Sequence, residues 1–139
     1  MSEPTMNRTM PSGGGGAQVS VFTADQVMTI APDATLQAAA QELAEDSVGM
    51  LVVGSVDKVL GVISERDIVR AVAAFRDPRT TLVSDIESTR LVWCDASATV
   101  NEVAEQMMEQ YVRHVLVEED GRLLGVVSAR DLLGAYAIG

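Results

Sequence analysis

The chain has 139 residues, 47% of them hydrophobic, and 20 acidic residues against 10 basic ones give it a net charge of −10. That apolar fraction supports a packed core and argues against global disorder; the acidic balance argues against long nucleic acid and an anionic membrane surface as partners, since both need a positive face. The apolar runs are far shorter than the ~20 residues of a membrane span, and the first residues contain no apolar signal segment, so a cytoplasmic location is expected.

Residues 1–20 are Gly-rich and lack periodicity, which predicts a flexible tail. Thr23 to Met28 reads as a short helical lead-in. Thr35 is the expected N-cap of a helix whose apolar face carries Leu36, Ala39, Ala40, Leu43 and Ala44. Met50 to Val53 and Val59 to Ile63 read as strands joined by a turn. A helix follows from Ser64 to about Phe75, with Ile68, Val69, Val72 and Phe75 apolar, and Asp77-Pro78 breaks it. The order then recurs. Val83 to Ile86 is a lead-in and Leu91 to Trp93 is extended. Thr99 and Glu102 form a capping box for a helix with Val100, Val103, Ala104, Met107, Met108 and Tyr111 on its buried face. His114 to Val117 is a strand, Asp120-Gly121 signals a hairpin, Arg122 to Val127 returns, and a last helix runs from Ser128 to about Tyr136.

The recurrence is visible in the sequence itself. Gly61-Val62-Ile63-Ser64-Glu65-Arg66-Asp67 returns 64 residues later as Gly125-Val126-Val127-Ser128-Ala129-Arg130-Asp131. The offset holds without a gap from Thr35/Thr99 to Ala71/Ala135, with 12 identities in 37 pairs. One unit has too few apolar residues to bury a small sheet and two helices, so the two are expected to pack as a pseudo-twofold pair. The expected division is a tail at 1–20, a first unit at 21–78 and a second at 79–139.

The repeated phrase has two readings. Ser-x-x-Asp at a helix start is a capping-box spacing, and Gly61 and Gly125 allow close packing. The same geometry offers a phosphate the helix N-terminus, a Ser hydroxyl and Arg66 or Arg130, while Asp67 or Asp131 can accept from vicinal ribose hydroxyls. Strand residues near Met50 and His114 would flank a base.

These residues, together with Pro32-Asp33-Ala34-Thr35-Leu36, Val48 to Val53, Ser97 to Val100 and Val112 to Val117, closely resemble a tandem pair of cystathionine-β-synthase (CBS) domains, a Bateman module, over about residues 23–136. The resemblance implies an α+β fold of two βαββα units, paired across their sheets and dimerising into a flat disc. It implies adenosine-containing ligands (AMP, ADP or ATP, with S-adenosylmethionine ranked behind them) in clefts between the units. Asp67 and Asp131 would hold ribose; Ser64, Ser128 and their neighbours would hold phosphate. Unit two departs from unit one. It has Ala96-Ser97 where the first has Pro32-Asp33, Arg113-His114 against Gly49-Met50, and Ala129 against Glu65, so the two clefts should not be interchangeable.

Other chemistry finds little support. One histidine cannot build a multi-histidine metal site, and no acid, base and nucleophile set suggests an enzyme. Cys94, the single cysteine, should be a buried inert thiol. Glu118-Glu119-Asp120 reads as a solvated turn, and Met107-Met108 as core. Trp93 suits either a purine stack or a buried anchor. The expected function is a non-catalytic regulatory module that binds an adenine nucleotide, homodimerises and signals to an unidentified protein. The alternative is a structural or dimerisation module with vestigial clefts, for which the apolar last helix (Leu132, Leu133, Ala135, Tyr136, Ile138) would be the contact.

Overall fold

A computed structural model describes residues 15–23, 27–46 and 48–138. They form two compact units, one spanning Gln26–Leu91 and one built from Val92 onward together with the N-terminal residues up to Asp25. The first contains β1 (Thr29–Ile30), α1 (Leu36–Asp46), β2 (Met50–Gly54), β3 (Val59–Ser64), α2 (Glu65–Ala73) and a short α3 (Val83–Ile86). The second contains a 3-10 turn (Val19–Phe22), β4 (Trp93–Asp95), α4 (Val100–Gln110), β5 (His114–Glu119), β6 (Arg122–Ser128) and α5 (Ala129–Ile138). Each sheet has three strands, in the orders β1-β2-β3 and β4-β5-β6. In both, the first pair is parallel and the second antiparallel. The α+β class with two βαββα units is therefore as the sequence predicts.

Apolar spacing explains each core. Leu36, Ala39 and Leu43 on α1 pack with Leu51, Val53 and Ile63 of the sheet and Ala71 of α2. Their counterparts Val100, Val103 and Met107 pack with Val115, Val117, Val127 and Ala135. Thr35 caps α1, its Oγ1 accepting from the Ala38 amide at 3.1 Å; Thr99 and Glu102 form the expected box, at 3.2 Å and 2.8 Å. Asp120 (φ 55°) and Gly121 (φ 78°) make the β5–β6 turn, with the two positive φ angles that suit a tight right-twisted hairpin.

The periodicity overextends in three places. Ala44 is exposed at the end of α1. Met108 and Tyr111, expected on the buried face of α4, are exposed. Met108 lies about 80° round the helix from Val100, at the edge of the stripe; Tyr111 follows the last helical residue in a left-handed conformation, φ 57°, which turns its side chain away from that face. On α2, Val69, Val72 and Phe75 are also exposed, and the helix ends at Ala73, before Phe75 at φ 62°.

The larger departure concerns the lead-in segments. Of the residues expected in a flexible tail, 15–20 are ordered against the second unit, while 1–14 lie outside the described residues. Val19 is fully buried in that unit's core. Its amide donates to the Ala98 carbonyl at 2.8 Å, and the Val100 amide donates to the Ala17 carbonyl at 2.9 Å. The helical lead-in is a 3-10 turn at Val19–Phe22, earlier than expected; residues 24–26 lie outside the described residues. The first unit shows the same bonds 64 positions away: Val83 donates to Ala34 at 2.8 Å and Leu36 to Thr81 at 2.9 Å. The sequence repeat thus extends back to Val19/Val83, but each lead-in packs on the unit that does not contain its own repeat. The physical reason is the start of α1 and α4: their first amides lack intrahelical partners, and lead-in carbonyls supply them.

Candidate functional site

In each unit the repeated phrase lies where the last strand passes into a helix. Ser64 is extended (φ −114°, ψ 167°) and caps α2. The Asp67 amide donates to Ser64 Oγ at 3.3 Å, while the Ser64 amide and hydroxyl both donate to Asp67 Oδ2, at 2.8 Å and 3.0 Å. In the second unit the Ser128 amide donates to Asp131 Oδ2 at 2.8 Å and the Asp131 amide to Ser128 Oγ at 3.0 Å. The capping reading is therefore realised in both copies. It leaves the site chemistry intact, because Oδ1 of each aspartate takes part in none of these bonds. The copies differ in one respect: the hydroxyl proton of Ser64 is directed at Asp67, whereas among the described residues no such bond engages that of Ser128.

The sheet register completes the arrangement. Met50 pairs directly with Ser64, and His114 with Ser128, so each pair projects from the same face at the strand end. Strand carbonyls take the first helical amides, Glu65 to Gly49 at 3.1 Å and Ala129 to Arg113 at 2.8 Å. The next amides, those of Arg66 and Arg130, take part in neither the strand bonds nor the caps, and both arginine side chains are exposed. Each unit thus gathers a helix N-terminus, an arginine, a serine and an aspartate oxygen beside the Met50 or His114 side chain. Exposed Glu65 adds negative charge at the first site; the second has Ala129 there and exposed Arg113 nearby, which favours an anion more strongly.

The glycines of the phrase serve packing. A Cβ on Gly61 would lie 2.6 Å from Glu87 Oε2 and 2.8 Å from the Ser88 carbonyl oxygen; one on Gly125 would lie 2.8 Å from Thr23 Cβ. Thr23 and Glu87 are equivalent at the 64-residue offset, so each glycine receives a lead-in segment. Glu87 was not among the expected site residues. Its Oε2 is buried with no partner among the described residues, and nothing in local periodicity marks it.

Cys94 is half-buried. Burial pushes its thiol up to about 11, with Asp95 and Glu118 adding repulsion, as an inert thiol requires. Trp93 is half-buried on β4, and its carbonyl accepts from Gln106 Nε2 at 2.8 Å. Asp95 is held below the usual carboxylate range by hydrogen bonds from the Ser97 side chain and amide. Among the described residues no group of three His, Cys, Asp or Glu side chains is placed to hold a metal ion, and no helix is long and apolar enough to cross a membrane.

Comparison with known proteins matches the CBS domain twice, at residues 19–74 and 83–138. Hypoxic response protein 1 of Mycobacterium tuberculosis is 36% identical over 100 residues, 70% of each chain. The CBS-domain containing protein ATU1752 from Agrobacterium tumefaciens superposes with a TM-score of 0.80 at 32% identity, covering 91% of this chain and 98% of that one. The CBS domain protein PAE2072 from Pyrobaculum aerophilum, solved in complex with AMP, gives 0.77 at 33% identity, covering 87% and 94%.

Proposed function

This chain belongs to the CBS-domain family, and from that premise we propose that it is a non-catalytic regulatory module binding an adenine nucleotide (AMP, ADP or ATP) at the strand-to-helix junctions and signalling to a partner protein from the cytoplasm. The observation that carries the proposal is the duplicated junction. Asp67 and Asp131 each keep one carboxylate oxygen outside the cap, suited to accept from ribose hydroxyls. Arg66, Arg130 and the adjoining helix amides suit phosphate. Met50 and His114 stand on the same face, suited to border the base. The AMP complex of PAE2072 supports the ligand class. The second junction, with Arg113 and without a counterpart of Glu65, binds the more highly charged nucleotides better. Binding transmits a signal only if the ligand prefers one of two states, and self-association is the readiest second state, for which exposed Leu133 on α5 offers a contact.

Isothermal titration of the wild type, Asp67→Asn and Asp131→Asn with AMP, ADP, ATP and S-adenosylmethionine tests this. Asparagine keeps an acceptor for the cap but removes the charge facing the ribose. Affinity should fall roughly tenfold or more, about 1.4 kcal/mol, and ATP binding should suffer more from Asp131→Asn. Absence of binding heat with all four ligands would sink the nucleotide reading. It would favour the second one, a dimerisation module whose aspartates only cap helices, which the realised caps also fit.

A further inference from the structure

The second junction stands where β6 ends at Ser128 and α5 begins at Ala129. The 3-10 turn Val19–Phe22 packs against both of those elements. Val19 is fully buried in the core that also holds Val127 of β6 and Leu132 and Ala135 of α5, and Phe22 packs on the same core. Thr23 closes the turn, its Oγ1 donating to the Ser20 carbonyl at 3.1 Å. Its Cβ lies against Gly125, three residues before Ser128. At the other end of the segment the Asn101 amide donates to the Gly15 carbonyl at 3.0 Å, and the Tyr136 hydroxyl of α5 donates to Asn101 Oδ1. Segment 15–23 therefore ties β6 and α5 together without supplying any group assigned to the ligand.

A ligand needs the Ser128 hydroxyl, the Arg130 amide and Asp131 Oδ1 turned to one point, and such groups work only when their supports hold them within about 0.5 Å. All three straddle the corner between β6 and α5, so the packing that fixes this corner fixes the site. The segment that does so is held more lightly than its counterpart in the first unit. There the Ser84 amide donates to the Pro32 carbonyl at 2.9 Å; Ser20, the equivalent of Ser84 at the 64-residue offset, makes no such bond to Ala96 among the described residues. Segments with fewer backbone bonds open at a lower free energy than the whole fold.

We infer that segment 15–23 is a brace for the second junction, and that its docking is linked to nucleotide binding at Ser128–Asp131. The docked segment keeps the corner in the shape that binds, so the nucleotide prefers the docked state; by reciprocity, binding holds the segment down. Val19 acts through β6 and α5 and is a positioning residue. The inference rests on the nucleotide reading above and names the part of the fold that reports occupancy of this junction.

The test uses the full chain, ATP as the probe and amide hydrogen exchange followed by NMR. The amides of Val19, Val100 and Asn101, bonded to Ala98, Ala17 and Gly15, report docking of the segment; those of Val83, Leu36 and Gln37, bonded to Ala34, Thr81 and Pro78, are their counterparts in the first unit. In Asp67→Asn, where the second junction is left to bind, saturating ATP should slow exchange of the first set by roughly fivefold or more and leave the second set nearly unchanged. In Asp131→Asn the slowing of the first set should be lost. Calorimetry supplies a second measurement. Val19→Ala should weaken ATP binding roughly fivefold in the Asp67→Asn protein and leave it unchanged in the Asp131→Asn protein, whereas a general loss of folded chain would weaken both alike. Bound ATP with unchanged exchange at Val19, Val100 and Asn101, slowing spread equally over both sets, or equal weakening at both junctions would overturn the brace and leave the nucleotide reading intact. A wild type that binds no ATP would overturn the brace, and one that binds none of AMP, ADP and ATP would overturn the nucleotide reading with it.

Discussion

The carboxylate of Asp67 holds the Ser64 amide and hydroxyl through a single oxygen, so a residue that caps a helix can also present an acceptor to a ligand. Cys94 shows the converse, a group whose surroundings suppress its chemistry. Its thiol lies at about 11 against an ordinary 9.0, chiefly through burial. Reactivity follows the thiolate fraction, so at pH ~8 a thiol reagent such as DTNB should label the native protein roughly two orders of magnitude more slowly than an unperturbed cysteine; labelling at the unperturbed rate would contradict the burial. The folded value lies above the unfolded one, so the folded chain holds its proton longer. This contribution to stability is complete below pH 9.0 and is lost as pH rises towards about 11.

At the scale of elements, helix starts and strand crossings are made from the same few residues. The Ser64 and Thr99 caps are local and could be recognised from spacing alone, as could the hairpin at Asp120-Gly121. Gly61 is legible only in part that way, because its place in the phrase points to close packing without telling what packs against it. The structure shows packing: the Ser88 carbonyl is held across β3 by bonds between Ser88 and Val62 at 2.8 Å and 2.9 Å, 2.8 Å from where a Cβ on Gly61 would lie. Gly61→Ala should therefore destabilise the protein by about 1–3 kcal/mol in urea unfolding. Gly125→Ala should cost a similar amount, because its new methyl would lie 2.8 Å from Thr23 Cβ, an atom that the backbone fixes and no side-chain rotation can move. A silent Gly125→Ala would contradict that obstruction.

Across the whole molecule, the N-terminal segment belongs by repeat to the first unit and by packing to the second. Val19 is the residue that commits it, being fully buried beside Val100 and Val103. Val19→Ala should cost roughly 2 kcal/mol through lost burial and an incompletely filled cavity, and Val83→Ala, its counterpart in the other unit, should cost a similar amount. Thermal and urea unfolding would check both; a silent Val19→Ala would show that the segment does not dock in solution.

The sequence by itself determined the repeat, the order of elements, the helix caps and the positions of the duplicated Ser, Arg and Asp residues proposed for the site, because apolar periodicity and capping act between residues a few positions apart. Only the tertiary structure decided that the lead-ins exchange units, that Met108 and Tyr111 face solvent, why Gly61 must be small, and that Met50 stands opposite Ser64 while His114 stands opposite Ser128. Those outcomes depend on strand register, or on backbone hydrogen bonds and side-chain contacts between residues distant in the chain, and no local pattern encodes them.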